Sequence, residues 1–434
     1  MTGLKWWFLL EELSDNVYLP RIADAELERR LARSGAVVVR GPKWCGKTET
    51  ALRQAKSVLY MQDPDEARSN VELAAEKPSV LLRGEKPRLI DEWQEAPQLW
   101  DAVRFSVDRE RARGLYILTG SSTPKEKPKH SGVGRVSFLD MRPMTLFESR
   151  ESTGEISLSA LFSSPDDIEA KAMGDIESMA HCAVRGGWPG AVVDGDAQGS
   201  LEIASDYVRV VAEEDISRVD DVRRNPAHAL LVMQAYARCS GVQADMASMS
   251  KSLKQQGSEI SRPTFNAYVA ALRKLLVLED LPAWEPSMHA KSRVSTTPKR
   301  YFVDPSLAAA ALGASPMLLL RDTSTFGGIF ESMCIRDLRV YARWLKGSVY
   351  FYHDNTGLEA DAVIVLPDGR WALVEVKLGT AQVDAAATSL HKVAAKINQD
   401  IMGAPAFLLV ITSGGYAYRR KDGVFVSPLS CLAP

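Results

Sequence analysis

The sequence predicts a mixed α/β protein with a parallel, doubly wound sheet near its start, a helical middle and a second α/β part at its end. Three observations predict this. Five short β-branched and apolar runs, separated by helix-forming stretches, lie between residues 36 and 141. Residues 155–285 read mostly as helices broken by turn signals. Residues 349–353, 358–366 and 371–377 read as strands, the last two joined by the turn signal Pro367-Asp368-Gly369. At 434 residues the chain is too long for one core. The expected division is a sheet domain over 17–150, a helical linker over 151–220, a three-helix segment with a hairpin over 221–295, and the C-terminal domain over 296–434.

Composition narrows the class. The chain is 46% hydrophobic and 25% charged, as in ordinary globular proteins. A formal net charge of −2 argues against coating nucleic acid by bulk charge, while leaving a local basic surface open. The five cysteines are far apart and form no CxxC pair, which argues against a cysteine zinc site and suits a reducing compartment. The apolar run near Trp6 is too short for a signal segment, and no run reaches the roughly 18 residues of a membrane span. A cytoplasmic protein without a membrane partner is expected.

The first element with chemistry is "GPKWCGKT". Gly41, Pro42, Lys43, Trp44, Cys45, Gly46, Lys47 and Thr48 complete the G-x-x-x-x-G-K-[ST] pattern, after a β-branched run and before the helix former "TETALRQA", which starts at Thr48 and includes Glu49. Glycines let successive backbone N–H groups turn toward phosphate oxygens, and the following helix adds its positive end. Lys47 is then the group for the β- and γ-phosphates of ATP, and Thr48 a ligand for Mg²⁺. Cys45 reads as a small filler. "RLIDEWQ" is a strand ending in Asp91 and Glu92, an acid to hold the metal and a general base for water. "GLYILTGSS" ends in Thr119, Gly120, Ser121 and Ser122, where a hydroxyl can sense the γ-phosphate. The strand–acid pair alone would read as two solvated acids; beside a complete phosphate loop it does not.

These residues, in this order and spacing, resemble the AAA-type P-loop ATPases with a catalytic glutamate. "GRVSFLDMRPMTLFE" at 134–148 is similar to a bacterial and archaeal group in which such a module precedes a C-terminal domain of unknown function. The resemblance implies Arg135 as an arginine finger or sensor acting in cis or in trans, with Arg142 a weaker candidate; a surface arginine is the other reading of Arg135. It extends over about residues 17 to 420.

In the middle, "RGGWPG" at 185–190 marks a turn anchored by Trp188, and Glu213, Glu214 and Asp215 read as a solvated face. Residues 226–287 have the order of a winged helix, with Ser261 capping a helix that offers Arg262, Thr264 and Asn266 to phosphates or base edges. A packing or hinge role is the alternative. The basic stretch 288–300, with His289, Lys291, Arg293, Lys299 and Arg300, offers phosphate contacts or a solvated wing.

The C-terminal strand "WALVEVKLG" carries Glu375 and Lys377 on one face, and the hairpin brings Asp361 to them; Glu331 approaches from the helix over 326–345. Three crowded acids repel and persist when a divalent cation or a lysine compensates them. The set resembles the PD-(D/E)xK nucleases, which implies a Mg²⁺ or Mn²⁺ site at Asp361 and Glu375, with Glu331 and Lys377 as further catalytic residues. An ordinary Glu375–Lys377 pair is the plain alternative. Two functions follow: an ATPase coupled to a metal-dependent, DNA-associated nuclease-like domain, or a nucleotide-switched DNA- or protein-binding regulator with an inactive C-terminal scaffold. Either form leaves room for a protein partner and a homo-oligomer. A metabolite kinase is disfavoured, because the Asp-Glu pair suits water activation.

Overall fold

The computed structural model describes residues 18–123, 130–163, 167–193, 196–286 and 297–434. The N-terminal apolar run, and His289, Lys291 and Arg293 of the basic stretch, lie outside the described residues. The first sheet has five parallel strands: β1 (Ala36–Arg40), β2 (Ser57–Tyr60), β3 (Arg88–Asp91), β4 (Tyr116–Gly120) and β5 (Val136–Asp140), in the order β2-β3-β4-β1-β5. β1 is buried through its Ala-Val-Val-Val run because helices cover both faces, which a parallel sheet requires. The β3 strand does not lie directly beside the phosphate-loop strand: β4 stands between them.

Among the described residues, the second sheet has seven strands in the order β7-β12-β13-β11-β10-β9-β8. These are β7 (Ala170–Lys171), β8 (Ser348–His353), β9 (Glu359–Val365), β10 (Trp371–Lys377), β11 (Leu408–Thr412), β12 (Tyr416–Arg419) and β13 (Phe425–Pro428). The β9–β10 hairpin pairs Trp371 with Val365 and Val374 with Ala362, a register that brings Glu375 level with Asp361. One face, with Val363, Trp371 and Leu373, packs on the helix Val383–Lys396; the other, with Ala362, Ile364 and Val374, shares a core with Phe326 and Phe330 of the helix Thr323–Trp344.

The expected linker is not a tether. Its residues Ala170–Lys171 form the edge of the C-terminal sheet, and β6 (Ile156–Ser157) pairs in parallel with β14 (Leu432–Ala433). Among the described residues, the segment 226–303 has three helices, Pro226–Ala237, Met246–Gln255 and Arg262–Lys274, then two extended stretches bridged at Leu278–Phe302 and Leu281–Lys299.

Polar joints lock these parts together. Met144 N–H donates to Gly187 O (2.6 Å), and Gly187 N–H donates to Asp304 (3.1 Å). A Cβ on Gly187 would stand 2.0 Å from Met144 O, so only glycine allows that approach. Arg336 donates to both Asp304 (2.9 Å) and Asp337 (2.8 Å), and Asp337 accepts from Leu146 N–H (3.0 Å). Asp304 and Asp337 are fully buried, so their charges depend on these partners. The "RPMTLFE" stretch is thus a joint. Its Arg142 forms a two-pronged pair with Glu279, and its Glu148 takes Arg21 (3.2 Å).

Candidate functional site

The carboxyl edge of the first sheet gathers the phosphate-loop set. A Cβ on Gly41 would meet Met141 O at 2.2 Å, and Gly46 has φ +93°, so both positions require glycine. Lys47 is buried and donates to Pro42 O (2.8 Å), inside the curve of the loop. Thr48 Oγ1 and Thr119 Oγ1 both donate to Asp91 Oδ1, at 2.8 and 2.6 Å. The predicted sensor Thr119 therefore orients Asp91 from the intervening strand. Glu92 has φ +55°, an unusual value for a side-chain-bearing residue, and its N–H donates to Thr119 Oγ1 (3.3 Å). Its Oε2 accepts from Ser121 (2.9 Å) and from Gln94.

The helix after the loop, Lys47–Leu52, is six residues long, so the loop's own N–H groups matter more than an extended helix dipole. Trp44 is exposed, and Glu49 is exposed on the first helical turn. Cys45 is buried, and burial pushes its thiol pKa up. Lys43 pairs with Asp215 (2.7 Å), so Asp215 is a buried partner of the loop, while Glu213 and Glu214 are exposed as expected. Sequence reasoning missed Arg21, which donates to Cys45 O (2.8 Å) and Arg142 O (2.7 Å) and so ties the loop to the joint.

The cis role for Arg135 is corrected. It immediately precedes β5, and its carbonyl accepts from Ala36 at the start of β1, so it lies at the amino edge of the sheet, opposite the phosphate loop. Five residues of strand, about 17 Å, separate the two edges. Its side chain is half-exposed and pairs with Asp108 (2.7 Å). Arg142 is spent on Glu279.

At the other end, a cleft of about 730 Å³ is lined by Glu331, Asp361, Lys377, His353, Gln243 and Lys299, among others. Lys299 Nζ donates to Glu331 Oε1 and Asp361 Oδ1, both at 2.8 Å, and Tyr301 OH also donates to Glu331. Asp361 Oδ2 accepts from Val376 N–H (2.9 Å). Lys377 donates to Glu375 (2.8 Å), whose other oxygen is buried without a partner. Burial opposes the Lys299 charge, but Asp361 and Glu331 outweigh it and hold its pKa well above the ordinary lysine value. Burial, reinforced by Asp361, pushes Glu331 up to about 7, and the same two causes raise Glu375. Burial opposes the Asp361 charge, yet Lys299 brings its pKa below the usual value.

At the expected metal site, Asp361 faces the ammonium of Lys299 and Glu375 that of Lys377. Among the described residues, no three His, Cys, Asp or Glu side chains converge to hold a metal ion. The ammonium of Lys299 bridges Glu331 and Asp361. Of the basic stretch, Lys299 and Arg300 are buried rather than solvated, and Arg300 donates to Asp280 (2.6 Å) and Ala244 O (2.7 Å). No described helix is long and apolar enough to cross a membrane.

Residues 33–149 match the family model described as an AAA domain. Residues 176–318 and 326–432 match two models described as domains of unknown function, DUF8612 and DUF4143. Uncharacterized proteins of Mycobacterium bovis and Mycobacterium tuberculosis are each 24% identical over 360 residues, covering 82% of this chain and 73% of the relative. Among solved structures, the Walker-type ATPase of Pyrococcus abyssi is similar at 14% identity and TM-score 0.40, covering 66% of this chain and 94% of that one. A RuvB variant of Thermotoga maritima is similar at 13% identity and TM-score 0.26, covering 60% and 88%. The N-terminal part, residues 33–149, is an AAA-type P-loop ATPase domain.

Proposed function

We propose that this chain hydrolyses ATP at the loop of residues 41–48 and passes its nucleotide state through the polar joints to a C-terminal part that serves as a binding scaffold. One observation carries the reading: Thr48 and Thr119 converge on Asp91 while Glu92 is held beside them. A hydroxyl and a carboxylate are hard oxygen donors, the set that Mg²⁺ accepts together with water. Thr48, and Asp91 directly or through water, would hold the ion. Bound there, Mg²⁺ supplies charge neutralisation at the β- and γ-phosphates.

Lys47 leaves Pro42 O for phosphate oxygens, and the loop N–H groups cradle the same charge. Both donors to Glu92 fall on Oε2, so its other oxygen is the one to accept a proton from the attacking water. The water oxygen bonds to the γ-phosphorus as the bond to the bridging oxygen breaks, leaving ADP and phosphate.

The helix Thr323–Trp344 supports the relay. It presents Glu331 to the C-terminal cleft, while Arg343 meets Glu26 (2.9 Å) and Asp140 O in the ATPase domain. The two positions are about 18 Å apart along the helix. The segment 226–303 serves in this reading as a winged-helix-like docking element, with Arg262 and Asn266 exposed at the start of its third helix. DNA affinity that falls steeply with salt would assign phosphates as its target, and no affinity at any salt a protein partner.

Phosphate release from ATP tests the catalytic reading. Lys47→Ala should lower turnover by roughly 10²-fold or more, and Glu92→Gln should lower kcat while nucleotide stays bound. Unchanged release in both variants rejects the assignment.

A further inference from the structure

We propose that Lys299 is the built-in cation of the C-terminal cleft, standing between Glu331 and Asp361 where the divalent ion of a nuclease-like centre would sit, so that this cleft works without metal. The inference rests on the scaffold reading given above and deepens it.

Lys299 is not a surface lysine that has drifted inward. Its backbone exchanges two hydrogen bonds with Leu281, Lys299 N–H to Leu281 O (3.1 Å) and Leu281 N–H to Lys299 O (3.0 Å). Its side chain is 6% exposed, and its ammonium lies 2.8 Å from both carboxylates. Tyr301, two residues on and so on the same face of the extended stretch, donates to the same Glu331 oxygen.

Asp361 is also committed at both oxygens. Asp361 spends its second oxygen on Val376 N–H. The second oxygen of Glu331 lies against Gly241, where an added Cβ would come within 2.8 Å of it. Glu375, the third acid a metal centre would need, does not line the cleft; Lys377 meets one of its oxygens and the other is buried without a partner. A dication entering between Glu331 and Asp361 would displace the ammonium from both acceptors while the Lys299 backbone stays pinned. That leaves a buried positive charge unpaired beside a second one, which costs far more than a surface rearrangement.

The exchange also explains the fold of this region. Lys299 comes from the stretch that closes the middle segment, Glu331 from the long helix and Asp361 from the C-terminal sheet. One ammonium therefore ties three elements together, a structural task that a metal performs elsewhere.

The test is calorimetric titration of Mn²⁺ into the nucleotide-free full chain, with wild type, Asp361→Asn, Lys299→Met and the Lys299→Met/Asp361→Asn double variant. No ATP is present, so a failure of the ATPase reading leaves this result intact. Wild type and Asp361→Asn should give the same heats. Lys299→Met should gain one Mn²⁺ per chain, at least about tenfold tighter than any wild-type binding, and the double variant should lose it. Wild-type Mn²⁺ binding that Asp361→Asn removes overturns the proposal, as does a folded Lys299→Met chain that takes no Mn²⁺. Should Lys299→Met fail to fold, the comparison of wild type with Asp361→Asn decides alone.

Discussion

The two ends of this molecule each gather acids, a lysine and hydroxyl groups, and use them in opposite ways. At the phosphate loop, Asp91 is met by two hydroxyls, and Lys47 rests on a backbone carbonyl. In the C-terminal cleft, Glu331 and Asp361 are met by the ammonium of Lys299. Hydroxyl and carbonyl contacts are weak enough to exchange for a phosphate or a cation; a doubly bridged buried ammonium is not. The first arrangement is built to receive charge, and the second has already neutralised its own.

The largest effect that sharpens this contrast is on stability. Asp361→Ala strands Lys299 as a half-paired buried charge and should cost about 3–5 kcal/mol, read as a fall in the denaturation midpoint. Lys47→Ala removes only a bond to a carbonyl and should cost about 1 kcal/mol, although it should lower turnover by roughly 10²-fold or more. Equal losses in the two variants would break the comparison.

An intermediate effect is expected at the joint, where Glu279 faces Arg142 and Arg339. Burial alone would raise the Glu279 pKa, but the two arginines outweigh it and bring it down to about 2. A depressed carboxyl stabilises the fold above its unfolded value near 4.5 and loses that contribution as pH falls toward 2. Urea melts between those limits should show the acid-dependent loss in wild type and a shallower one in Glu279→Gln.

The smallest effect is at Arg135. Its half-exposed pair with Asp108 is screened by solvent and contributes little, and Arg135→Ala should leave turnover within about twofold of wild type. A loss of two orders of magnitude would instead assign Arg135 to a neighbouring copy's nucleotide in trans.

Much of the fold was readable because its signals are local. The phosphate loop lies within eight consecutive residues, each of the five strands carries at least two consecutive apolar residues, and the Pro367-Asp368-Gly369 turn sets the register that aligns Asp361 with Glu375. What was not readable depends on distant partners. Lys299 lies 32 residues from Glu331 and 62 from Asp361, and nothing near it marks it as a buried counter-ion. Asp215 looked like part of a solvated acidic run until Lys43, 172 residues away, was seen beside it. Arg135 is a different case. A residue that precedes a strand in a parallel sheet must lie at the amino edge, away from the loop that follows another strand, so its position was already implied by the strand direction.

The most direct test of the central claim is calorimetry of magnesium-ATP titrated into the Glu92→Gln chain, where binding is separated from turnover. The account predicts one nucleotide per chain, with binding lost when Lys47→Ala is added. Absence of binding to the folded Glu92→Gln chain, or binding that survives the loss of Lys47, would contradict it.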